Sequence, residues 1–138
     1  MTKTNDRFVH GEHNQAVCDY LSLNIEFPDW VITTAFYSAL HYVSHKIFPF
    51  EVQAIEGKKT KIESIDQYYN YQKAKRKNLS KHELLLDLVE KHFDEKIRNS
   101  YSWLLSTATT ARYNQYQFDR PIANRAIDYL GRIKKACI

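Results

Sequence analysis

An all-α bundle of a few long helices with short connections is what this sequence predicts, and three observations lead there. Only three glycines and three prolines punctuate 138 residues, too few for the turns of a many-stranded sheet. Apolar residues recur at three- and four-residue spacing, the period of a helix with a buried face. Asp, Ser and Pro stand where such stretches begin, as N-caps and first-turn residues do. A chain of this length fits one domain, 1–138, and buries roughly 70% of its unfolded surface, enough for a core without staples.

The first helix is expected over residues 12–25, where Ala16, Val17, Tyr20, Leu21, Leu23 and Ile25 make one face apolar. Pro28 should stop it. Asp29 then sits where an N-cap belongs, so the second helix is expected to start at Trp30. From Trp30 to Phe48 the only fully charged side chain is Lys46, and a helix apolar nearly all round belongs at the centre of a bundle. Trp30, Phe36, Leu40 and Val43 are therefore expected to be inaccessible to solvent. Pro49 ends this helix, since it cannot sit in a helix interior and biases Phe48 out of the α region.

Residues 51–79 read as a polar, basic, tyrosine-rich connection with a short helix over 64–76. Ser80 and Glu83 form a capping box that starts the next helix sharply, at "LLLDLVEKHF". Asp94 and Glu95 place negative charge at the start of the following one, which carries Ile97, Tyr101, Leu104, Leu105, Ala108 and Ala111. The last helix has Asp119 as N-cap, Pro121 in its first turn, an apolar line of Ile122, Ala126, Ile127, Leu130 and Ile133, and Lys134 and Lys135 opposing the dipole at its end.

The net charge of +4 is concentrated: Lys58 to Lys81 holds eight basic residues against two acids, so the rest of the chain is slightly acidic. Such a segment is a candidate surface for phosphate-bearing partners. Lys73, Lys75 and Lys77 with Tyr69 are its candidate nucleic-acid contacts, combining charge with a stacking ring. Two cysteines, Cys18 and Cys137, stand far apart without ligand spacing, which points to a reducing compartment. The N-terminal stretch lacks the apolar core of a signal peptide, and no run is long enough to span a bilayer, so a cytoplasmic location is expected.

His41 and His45 lie one turn apart on the second helix, a relation that can present two imidazoles to a metal ion. No HExxH pattern or third ligand accompanies them. With Tyr37, Thr34 and Ser38 they read instead as a polar stripe hydrogen-bonded at a helix seam, and neither metal nor cofactor is expected. His10, Glu12 and His13, near a chain end, read as solvated. No GxSxG elbow exists and neither cysteine is activated by its neighbours, so the remaining chemistry is acid and base work by His beside an Arg that holds phosphate oxygens.

The segments "HNQAVCDYL", "FPDWVITTAFYSALHYV", "KHELLLDLV" and "YSWLLSTATTARYNQYQF", in that order, resemble a prokaryotic branch of the HEPN superfamily. That resemblance implies a four- to five-helix up-and-down bundle, frequent homodimerisation, and metal-independent RNA cleavage in toxin-antitoxin and antiviral defence systems. It further implies an Arg followed, after four to six residues, by a His. "IRNSYSW" begins as such a motif at Arg98 but has Trp103 where the His would stand, and Arg112 in "ARYNQYQF" has no His after it. Two segments fit the spacing, Arg7 to His13 and Arg76 to His82. Arg76 and His82 are the preferred catalytic pair, because they follow the tyrosines in the basic segment and His82 opens a helix, where bound phosphate is favoured. Arg112 joins the candidate RNA contacts. The alternative is a non-catalytic, dimerising helical module that binds a partner protein, such as the product of a neighbouring gene, or a nucleotide.

Overall fold

The computed structural model describes residues 3–24, 26–53, 57–75, 78–113 and 118–138. Within them run six helices and one hairpin: α1 (Lys3–Ser22), α2 (Pro28–Ile47), β1 (Phe50–Gln53), β2 (Lys59–Ile62), α3 (Ile65–Ala74), α4 (Lys81–His92), α5 (Glu95–Tyr113) and α6 (Arg120–Cys137). The fold is an all-α bundle. Helix α2 is its axis and packs against α1, α4, α5 and α6. None of the described helices is long and apolar enough to cross a membrane.

Capping signals place most helix starts. Ser80 and Glu83 form the reciprocal capping box at α4, Asp94 Oδ1 accepts from Ile97 N at α5, and Asp119 Oδ1 accepts from Ile122 N at α6. Ser64 caps α3 by accepting from Gln67 N.

Helix α2 departs from the expected start. Phe27, not Asp29, is its N-cap, and no side chain caps it; Pro28 and Asp29 fill the first turn. Proline fits there because its missing N–H would be unsatisfied anyway and its φ is already helical. The helix ends at Ile47, and Phe48 before Pro49 is extended, with ψ of 143°.

Helix α1 begins nine residues before the expected Glu12 and stops at Ser22, while the expected end, Ile25, lies outside the described residues. Its polar N-terminal half has little apolar periodicity of its own. Packing along α2 holds it: Phe8 meets the rings of Tyr42 and His45, Ser38 Oγ donates to Gly11 O at 2.6 Å, and Tyr42 OH donates to Gln15 Oε1. Gly11 permits the approach, since a Cβ there would lie 2.7 Å from the Tyr42 ring. His10, Glu12 and His13 therefore belong to a helix and not to a loose end, although their side chains are exposed.

The hairpin in the expected connection pairs Phe50 with Ile62 and Gln53 with Lys59 in antiparallel register. Four-residue strands give only two alternations each, too few to register as a pattern. Ile62 is buried, Phe50 stacks edge-on against buried Tyr68, and Tyr71 OH donates to Gln53 O, so α3 and the hairpin form one small layer.

The core centres on Phe36, Tyr42 and Tyr101, all fully buried, with Ile32, Val43, Leu104, Leu130 and Ile133. Phe36 and Val43 are buried as expected. Leu40 is only partly buried, and Trp30 is 53% exposed. Trp30, Thr34, Tyr37 and His41 share one face of α2, so the tryptophan falls on the polar stripe and not on the core side.

Candidate functional site

The stripe on α2 organises two clusters of basic side chains. In the first, Arg112 from the last turn of α5 reaches α2, where its Cζ lies 5.4 Å from the centroid of Tyr37 and 5.9 Å from that of Phe36. Tyr113 stands 5.5 Å away on its own helix. The ring of His82, in the first turn of α4, lies 5.7 Å from that same Phe36 ring. Three helices thus bring an arginine and a histidine together around one buried phenylalanine.

Burial lowers the pKa of His82, and the Arg112 charge lowers it further. Its imidazole is consequently neutral at pH 7 and able to accept a proton. Arg112 is half-buried, and its Nη1, fully shielded from solvent, has no hydrogen-bond partner among the described residues. Buried polar atoms are nearly always satisfied, so this guanidinium nitrogen near the imidazole lacks the acceptor that such a donor ordinarily has.

Of the site residues read from the sequence, the structure brings His82 and Arg112 together. Arg76 and Lys77 lie outside the described residues. Lys73 and Lys75 are exposed at the end of α3, with Lys75 Nζ 4.6 Å from the Tyr71 ring. Tyr69 is half-buried under Lys81, whose Nζ sits 5.7 Å from its ring and 2.7 Å from Asp66. The basic segment is also partly neutralised: Lys59 pairs with Glu51 and Lys61 with Glu63.

The other spacing match comes apart. Six residues on a helix correspond to about 120° of net rotation, so Arg7 and His13 point to different sides of α1. Arg98 Nη1 donates to Glu90 O at the end of α4, and Trp103 packs edge-on against Tyr129 with Arg125 over its ring.

The second cluster surrounds His41. Its ring stacks on His10 from α1, with centroids 3.8 Å apart and planes 19° from parallel. Ring-nitrogen lone pairs lie in the ring plane, so two stacked imidazoles direct them in parallel and not toward one ion. The described residues contain no group of three or more His, Cys, Asp or Glu arranged to hold a metal. His41 stacks on a ring at the helix seam where a hydrogen-bonded stripe was expected, and the hydroxyl of Ser38 goes to backbone. His45 packs against Phe8. The involvement of His10 was not legible, because the frayed chain end to which it was assigned is helical.

Comparison with protein families, curated proteins and solved structures finds no match to this chain.

Proposed function

We propose that this chain is a HEPN-like RNA-directed domain, acting in the cytoplasm as a homodimer, with His82 and Arg112 as its phosphodiester-cleaving pair. The observation that supports this is Arg112, whose Nη1 has no hydrogen-bond partner among the described residues, beside His82, two residue types that suffice for metal-independent RNA cleavage. Neutral His82 would take the proton from a ribose 2′-hydroxyl, whose oxygen attacks the adjacent phosphorus. Arg112 would hold the phosphoryl oxygens as charge grows on them. The P–O5′ bond breaks, leaving a 2′,3′-cyclic phosphate, and the departing 5′-oxygen would receive the proton that His82 took from the 2′-hydroxyl. The nucleophile is internal to RNA, so DNA is not cut. Lys81, next to His82 in the chain, and Tyr69 beneath it, with Lys73 and Lys75 at the end of α3, would track the strand. Arg76 belongs to the same proposal as a further phosphate contact. A toxin or antiviral role, with a partner encoded nearby as its control, fits such an activity.

The test is incubation of the purified protein with single-stranded RNA in EDTA. Cleavage with 2′,3′-cyclic ends, lost by about a hundredfold or more in His82→Ala and Arg112→Ala, is the expected outcome. Undiminished cleavage in both variants would remove the pair.

A second reading rests on the α1–α2 connection, where Tyr20, Leu23, Phe27 and Trp30 are large apolar residues that are all exposed. Gathered apolar exposure of this kind marks protein contact surfaces. If the wild type cuts no RNA yet loses dimerisation or partner binding on Trp30→Ser, the chain is the non-catalytic interaction module.

A further inference from the structure

Between α1, α2 and the start of α3 lies a cavity of about 260 Å³, lined by Asp6, Arg7, His10, His41, Ser44 and Ser64 over an apolar floor of Leu40, Phe48 and Ile65. By contrast, the crevice between the α1–α2 connection and α6 holds about 30 Å³, room for a water. We propose that the α1–α2–α3 cavity binds a phosphate monoester, with the phosphate held by the Arg7 guanidinium and the two stacked imidazoles.

Arg7 is fixed before any ligand arrives. Its Nη2 donates to Glu63 O and its Cζ lies 5.3 Å from the Phe48 ring, an arrangement that orients the planar fork. Among the described residues no carboxylate lies within ion-pair distance of this half-buried guanidinium, although the Glu63 charge acts on it from further away. An arginine has five N–H donors, so the remainder can meet phosphate oxygens. Ser44 and Ser64 add hydroxyl donors, and Ser64 sits at the N-terminus of the ten-residue α3, whose free amides favour an anion.

The His41 ring resists protonation, since its charge would sit buried and close to Arg7. Around His41 the charged and titratable groups are Arg7, His10 and the lining carboxylate Asp6 from α1, and Tyr37 and His45 one turn away on α2. Toward α3 come Glu63 and its partner Lys61. Burial, then His10, then Arg7 push His41 down to about 4. A bound phosphate dianion would oppose the last two and draw a proton onto the ring. The apolar floor accepts the small organic body of the monoester. A volume just below the roughly 300–1,000 Å³ of drug-sized sites limits that body to about one ring system.

The pocket stands apart from Arg112 and His82, and its occupancy does not depend on whether they cut RNA. The experiment is an NMR titration of the imidazole resonances of the full chain with inorganic phosphate, uridine 5′-monophosphate, uridine and acetate. We expect His10 and His41 to shift saturably with both phosphates and not with uridine. The His41 pKa should rise by about one unit or more at saturation. Arg7→Gln should weaken binding by about tenfold or more, whereas Arg112→Ala leaves it unchanged. Tighter binding of the monophosphate than of inorganic phosphate would assign a nucleotide source, and equal affinity a free-phosphate one. If Arg7→Gln fails to fold, the wild-type titration still decides. Rings unmoved by about 50 mM phosphate, or moved as much by acetate, would overturn the proposal, as the millimolar affinity of even a weak charge-assisted site predicts saturation there.

Discussion

Two faces of α2 carry the same residue spacing, displaced by two positions and so by about 200°. Ile32, Phe36, Ala39 and Val43 are all fully buried, whereas Trp30, Thr34, Tyr37 and His41 are exposed or half-buried. The first face meets the apolar interior between α5 and α6. Against the second lie Arg112 at Tyr37, which also reaches Phe36 where His82 packs, and, one turn on, Arg7 with His10 at His41. A central helix need not be equally buried all round. Its polar stripe can assemble basic groups from helices that are distant in sequence.

The sharpest way to break this contrast is on the core face. Phe36→Ala should cost about 3–5 kcal/mol, read as a lower urea midpoint, because it empties a fully buried site. It should also let Arg112 and His82 drift, since both rest on that ring. A loss below about 1 kcal/mol would mean that the core closes over the gap.

Next in size is Gly11→Ala. The new methyl meets the Tyr42 ring, and about 1–3 kcal/mol of overpacking is expected by thermal melting. Separating α1 from α2 should also loosen the stack of His10 on His41, visible as altered imidazole shifts.

The stripe should respond to pH where the core face does not. His41 is held at about 4 in the folded chain against an ordinary 6.5, so between those values the unfolded chain binds a proton that the folded chain refuses. Stability therefore falls as pH drops from about 6.5 to about 4, then no further on this account. His82, also lowered, acts in the same direction. With solvent screening of a half-exposed ring, roughly 1 kcal/mol is expected. His41→Gln should flatten the melting-temperature profile by that amount, and an unchanged profile would show that the ring titrates normally.

The smallest effect belongs to Trp30→Ala. Despite the size of the side chain, its place on the stripe should limit the loss to within about 0.5 kcal/mol. A larger loss would mean that the exposed edge of α2 is stability-bearing after all.

Local chemistry made much of the fold legible. A capping box, an Asp N-cap with Pro in the first turn, and Pro49 after Phe48 act within a few residues, so α4, α6 and the end of α2 could be read directly. Residues 3–11 gave no such signal, because their helix depends on Phe8, Gly11 and Gln15 meeting α2. The candidate site was legible in its parts. His82 and Arg112 stood out by type, but their partnership spans α4 and α5 and no spacing rule along one helix could pair them.

The sequence by itself determined the helical class, the caps and the residue types available for phosphate chemistry, because periodicity and hydrogen-bond capacity are properties of neighbouring residues. Only the tertiary structure decided that Trp30 faces solvent, that His82 meets Arg112 over Phe36, and that His10 stacks on His41. Those outcomes depend on which helix lies against which face of α2, and packing of the whole chain sets that arrangement.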